Sequence, residues 1–167
     1  ERLSAQVVCV RVHPRGNAVK KIAVFADVQN LYYTVRQAYG CHFNYAALWA
    51  DVSKQGQIVE AYAYAIDRDD SKQQQFQQIL RNLGFVVKLK PYIQRSDGSA
   101  KGDWDVGITL AIMDAADHVD EVVAVVGDGV AAGATVRRGI GPARHGHRKG
   151  VAQRVAAGIE DLSAHPA

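Results

Sequence analysis

The sequence predicts an α/β protein built on a central parallel sheet with helices on both faces. Three observations carry that expectation. Apolar runs of strand length alternate with segments of helical periodicity. The first clear run, Ile22–Ala26, has no polar residue in it, as in a strand covered on both sides. Glycines fall where the periodic segments end.

Each element follows in order. Residues 1–19 read as a short edge strand, Val7–Val12, with a turn at 13–17, or as an ordered leader. After the Ile22–Ala26 strand, Leu31, Val35, Ala38 and Tyr39 recur on one helical face, and Gly40 stops the helix. Tyr45, Leu48, Trp49 and Val52 give a second helix, with Asn44 as its N-cap. Ile58–Ala65 is the second strand, rich in β-branched and aromatic residues. A charged loop, Asp67–Asp70, precedes Ser71-Lys72-Gln73-Gln74, which fits a capping box with Ser71 as the cap. Phe76, Ile79, Leu80 and Leu83 are that helix's stripe, Gly84 ends it, and Phe85–Leu89 is the third strand.

Residues 91–100 read as a polar loop. The helix expected over Val106–Ala116 is apolar nearly all round, which predicts burial on more than one side. Glu121–Val126 is the fourth strand and ends at Gly127-Asp128-Gly129. The main domain is therefore expected over residues 20–129. Residues 130–167 contain no Phe, Tyr or Trp and break the alternation. They read as an atypical basic tail, and the simultaneous shift in aromatic content, charge and periodicity fits a change of coding frame after Gly129.

Length and composition set bounds. At 167 residues the chain suits one domain with a sizeable core. No stretch approaches the roughly 18 apolar residues of a membrane span, and two cysteines make no disulfide framework. A cytoplasmic, membrane-free protein is the expectation. The net charge of +3 is unevenly spread. Residues 1–129 hold 14 Lys+Arg against 15 Asp+Glu, and residues 130–167 hold 6 against 2. Net charge therefore assigns no nucleic-acid patch to the main body.

The chemistry-bearing residues are carboxylates at strand and helix ends. Asp27 and Asp128 each end an apolar strand, and Asp105 opens a helix. If the first and fourth strands are neighbours, all three converge on one sheet edge. Clustered carboxylates repel unless a hard cation neutralises them, and Mg²⁺ or Mn²⁺ suits an all-oxygen site. Such a site can activate water against a phosphodiester. Asn30, one turn into the first helix, can orient a ligand or a carboxylate, and Lys101 can meet a phosphate as a point charge. The plainer alternative for any one aspartate is a helix cap or a turn. Tyr32 and Tyr33 can stack on bases, with helical phase predicting one packed and one exposed. Arg68, Lys88, Lys90 and Arg95 are candidates for a nucleic-acid path.

Three motifs, Phe25-Ala26-Asp27-Val28-Gln29-Asn30, Lys101-Gly102-Asp103-Trp104-Asp105-Val106 and Val126-Gly127-Asp128-Gly129, together resemble the NYN domain, in the LabA-like branch of the PIN-type nucleases. The likeness covers about Lys20 to Gly129. It implies a three-layer, PIN-like or Rossmann-like α/β sandwich and a metal-dependent ribonuclease-like site. Under it, Asp27, Asp105 and Asp128 are the catalytic and metal-holding carboxylates, Asn30 and Lys101 contact substrate, Mg or Mn is the cofactor, and RNA is the partner. The sequence departs from the motif at Val130, where a second aspartate is expected, and at Ala111, where the helix often carries an acid; Asp114 lies about half a turn around the helix from Asp105 and is a poor substitute.

Hydrolysis of RNA phosphodiesters is accordingly the expected function. The alternative is a catalytically impaired RNA- or protein-binding module that kept the fold. A haloacid-dehalogenase-type phosphotransferase ranks below both, because Gln29 stands where it needs a second aspartate. A missing last strand would leave an exposed sheet edge and favour a homodimer.

Overall fold

The computed structural model describes residues 5–11, 18–40, 42–91, 93–94, 100–101 and 105–127. The expectations placed on the turn at 13–17, on Arg95 and on residues 128–167 lie outside these. The described chain forms β1 (Ala5–Arg11), β2 (Lys21–Asp27), α1 (Val28–Tyr39), α2 (Tyr45–Ser53), β3 (Gln57–Asp67), α3 (Ser71–Leu83), β4 (Val86–Pro91), β5 (Ile93–Gln94), β6 (Ala100–Lys101), α4 (Asp105–Ala115) and β7 (Glu121–Gly127).

The main sheet has the order β1-β7-β2-β3-β4. Strands β7, β2, β3 and β4 run parallel, and β1 lies antiparallel on the outer edge of β7. This is the α/β fold that the alternation predicts, with one antiparallel edge strand added. That strand removes the exposed β7 edge on which the homodimer expectation rested: Ala5 to Arg11 pair with Gly127 to Glu121 along its full length.

Alternation along the strands divides the core. Ile22, Val24 and Ala26 of β2 face α1, α2 and α3, where they meet Leu31, Leu48, Val52 and Leu80. Ala23 and Phe25 face the other side and pack with Ile108, Ile112 and Ala115 of α4. Phe25, Leu48 and Ile108 are completely buried, each contributing about 1.5–3 kcal/mol from apolar burial. A register shift between Ile22 and Ala23 skips Val59, which is half exposed. The extra residue brings Ile58 and Ala61 to the same face despite their odd spacing.

Local signals set the ends. Gly40 takes φ 68° and its N–H donates to the Arg36 carbonyl, which closes α1. The Asn44 side chain accepts the Ala47 N–H at 2.9 Å and opens α2. The cap of α3 is Asp70 and not Ser71. The Asp70 carboxylate accepts the Lys72 N–H at 3.0 Å, and Ser71 is already helical. A charged acceptor at the positive helix end outcompetes the hydroxyl one residue on.

Two further expectations are corrected. The polar 91–100 stretch carries the short antiparallel pair β5–β6, with Ile93 opposite Lys101. Helix α4 buries one face only: Ile108, Ile112 and Ala115 pack inward, while Val106 is 75% and Leu110 53% exposed. It is the single described helix on its side of the sheet, so nothing described covers its outer face.

The amino ends of β2 and β7 are locked together. The Lys21 N–H donates to Asp120 Oδ2 at 2.8 Å, and the Asp120 N–H returns to the Lys21 carbonyl at 2.9 Å. Lys20 Nζ reaches Glu121 Oε2 at 2.7 Å. These buried acids hold the β2–β7 register and so fix what lies at the opposite, carboxyl edge.

Candidate functional site

Chain order reverses at β2. From β2 the chain steps outward to β3 and β4, then returns to place β7 on the other side of β2. The crevice at the carboxyl ends of β2 and β7 is therefore a topological switch point, the position at which open α/β sheets bind ligands. Asp27 is the last residue of β2 and sits there.

Asp27 is 7% exposed. It is also the N-cap of α1, with an extended backbone, and its Oδ1 accepts the Asn30 N–H at 3.2 Å. The cap and the candidate ligand are thus the same carboxylate. Asn30 is partly buried, and its carbonyl accepts the Thr34 hydroxyl at 2.7 Å. Tyr45, buried at the start of α2, has its phenol pushed far up by burial first and by the Asp27 charge second. Its hydroxyl stays neutral beside the aspartate.

The topology brings Asp105 to the same edge. Helix α4 ends at Ala115, and β7 begins at Glu121 beside Ile22, at the amino end of β2. The helix runs back across the sheet, so its first residue, Asp105, lies toward the carboxyl edge. Strand β7 runs alongside β2, with Val125 opposite Ala26, and ends at Gly127 on that edge. Lys101 is paired in β6. Asp128 lies outside the described residues. Among the described residues no group of three His, Cys, Asp or Glu side chains could hold a metal ion, and Asp27 is the one member of the expected cluster whose side chain is described. Its donor chemistry, a buried carboxylate at a switch point, fits a hard cation.

The wider set of expected residues divides. Arg68 lies beside Asp27's helix, lining a groove between α1 and α3. Lys88 sits on the opposite face of the sheet, 4.5 Å from the Tyr62 ring centre. Tyr32 and Tyr33 are both exposed, at 43% and 47%, and meet edge to face with ring centres 5.3 Å apart. The expectation of one packed and one exposed ring fails because α1 buries only Leu31, Thr34 and Val35 among its middle residues. Sequence reasoning missed the groove as a unit. Gln29, His42, Phe76 and Gln77 join the tyrosines in it from separate elements; the adjacent Tyr32–Tyr33 pair and Arg68 are its visible signals in the sequence.

No described helix is long and apolar enough to cross a membrane. The chain is 28% identical over 121 residues to the low amplitude and bright protein LabA of Synechococcus elongatus, an alignment covering 65% of this chain and 62% of that protein. The chain thus spans less than two thirds of LabA's length. A solved structure of a Vibrio parahaemolyticus protein of unknown function is similar at 53% identity and a TM-score of 0.58, over 64% of this chain and 66% of that one. The family model of the NYN domain matches residues 21–135, running past Gly129. With the parallel sheet, the switch point and these likenesses together, the chain belongs to the NYN domain family of the PIN-like nuclease superfamily.

Proposed function

We propose that this chain is a divalent-cation-dependent ribonuclease-type domain that hydrolyses RNA phosphodiesters, with Asp27, Asp105 and Asp128 holding Mg²⁺ or Mn²⁺. The observation that carries the reading is Asp27 itself: a buried carboxylate at the β2–β7 switch point, on the edge toward which α4 begins. A bound cation supplies Lewis acidity toward the phosphodiester and lowers the pKa of a water. The chain's own residues do the remaining work. The cap bond from the Asn30 N–H fixes the Asp27 carboxylate before any ligand arrives. The amino end of α4 adds a positive dipole to the edge that a phosphate would approach. Lys101 and Asn30 position the substrate.

Cleavage of single-stranded RNA in Mn²⁺ by the chain and by Asp27→Asn tests this. Asparagine keeps the capping oxygen and loses the charge. Strong loss of cleavage in the folded variant is expected; equal rates would overturn the reading.

A second reading, a binding module without hydrolysis, draws on Ala111 and Val130. Ala111 packs against the α4 core cluster, so this helix carries no acid at that position. Asp114 lies nine residues beyond Asp105, about 13 Å along the helix and half a turn around it, and so does not stand in for the acid missing at Ala111. RNA binding that is insensitive to metal, without cleavage, would favour this reading. Recovery of cleavage in Val130→Asp would return the argument to an enzyme.

A further inference from the structure

We propose that the groove between α1 and α3 seats an unpaired nucleobase of the RNA strand next to the phosphodiester served by Asp27. The inference rests on the ribonuclease-type reading for its ligand class and adds a base-binding subsite to it. The groove has a volume of about 570 Å³ and begins at Val28 and Gln29, immediately after Asp27. That volume falls within the roughly 300–1,000 Å³ of small-ligand pockets.

Its walls have the chemistry of a stacking site. Tyr32 and Tyr33 stand exposed on one side. Their edge-to-face contact leaves each ring at least one face not covered by the other. Tyr32 is held in place: Arg36 Nη1 donates to its hydroxyl at 2.6 Å, and the His42 ring lies 6.0 Å away at 33°. Phe43, Tyr45 and Phe76 continue the aromatic lining through edge contacts of 4.9 and 5.6 Å. Aromatic rings stack on any base, whatever its sequence.

The rim carries the complementary charge. Arg68 and Lys72 border the groove, and Lys72 lies in the first turn of α3, where the helix dipole is positive. The one acid of the lining, Asp70, is engaged as the cap of that helix. Gln29 and Gln73 add amides to the lining that can meet base edges; Gln73 Oε1 already accepts the Arg68 N–H at 3.3 Å, and Gln77 is a buried part of the wall. An apolar peptide would use the rings but has no need of two cations. A phosphate alone would need the cations and not the rings. A nucleotide uses both, and its backbone would continue toward Asp27.

The test is fluorescence anisotropy of a labelled oligouridylate in EDTA, so that no cleavage occurs. Tyr33→Ala should bind about ten-fold more weakly than the unaltered chain, and Tyr33→Phe should bind equally. Lys72→Glu, on the other wall, should also weaken binding. Tyr33 and Lys72 are exposed, so neither change empties the core. An abasic oligomer of the same length should bind poorly and be indifferent to Tyr33→Ala. Equal affinity of the unaltered chain and Tyr33→Ala for the oligouridylate overturns the proposal, as does equal affinity for the abasic strand. Absence of RNA binding by the unaltered chain overturns it too, and leaves the groove to a protein partner. If the groove variants weaken binding while the chain cleaves nothing in Mn²⁺, the base site stands and the hydrolytic reading falls.

Discussion

Asp27 and Asn30 are joined by a helix cap: Oδ1 of the aspartate accepts the N–H of the asparagine at 3.2 Å. Two residues that mark the family motif therefore have a structural reason for their spacing, independent of catalysis. The two roles separate by substitution. Asp27→Ala should cost about 0.5–2 kcal/mol of stability through loss of the cap, while Asp27→Asn should cost little. The urea unfolding midpoints of the two variants check this. Equal destabilisation by both would mean that the charge, and not the cap, holds α1.

A second expectation concerns Gly84, the cap that closes α3. Gly84 has φ 116°, and a Cβ there would lie 2.6 Å from the Trp49 ring. Gly40 has φ 68° with open space around it. Gly84→Ala should cost about 1–3 kcal/mol, from backbone strain and displacement of the α2 tryptophan together. Gly40→Ala should cost less, because strain acts alone. Thermal unfolding of both variants measures the difference, and a reversed order would contradict the packing of Trp49 over Gly84.

The buried acids at the far edge carry a third. Asp120→Ala removes the acceptor for the Lys21 N–H and should destabilise the fold by about 1–3 kcal/mol. Hydrogen exchange should quicken at the amino ends of β2 and β7 before it quickens in β3.

Stability in alkali supplies a fourth. Burial raises the Tyr64 phenol from 10.0 to about 12, with Tyr62 and Glu60 adding to the shift. The unfolded chain loses that proton first, so between about pH 10 and 12 it binds fewer protons than the folded chain. The stabilising contribution is full below pH 10 and is lost as pH rises through the folded value. Chemical denaturation across this window should show falling stability, and Tyr64→Phe should flatten the slope. Tyr62 and Tyr45 are shifted in the same direction, so part of the slope should remain.

Much of the frame was legible in the chain. Strands β2 and β7 are short apolar runs, β3 is rich in β-branched and aromatic residues and β4 follows a helix-ending glycine, and their alternation with helices admits few arrangements. Asp27 was legible because it ends the driest run. The Ser71–Gln74 pattern concealed the true cap, since Asp70 stands in a run of acids where any one could serve. Helix α4 reads as buried all round because its composition shows no stripe, and only the packing reveals that Val106 and Leu110 face outward. The β5–β6 pair is too short to leave a periodic signal. The groove is assembled from α1, the segment before α2, the end of β3 and α3, and no single window of sequence contains it.

Under the proposed function, Asp27 is a cation ligand as well as a helix cap. A calorimetric titration of Mn²⁺ into the chain and into folded Asp27→Asn tests it most directly. A saturable site is expected in the chain, weakened at least about ten-fold in the variant in line with removal of a charged ligand. Identical titrations of the two proteins would contradict it.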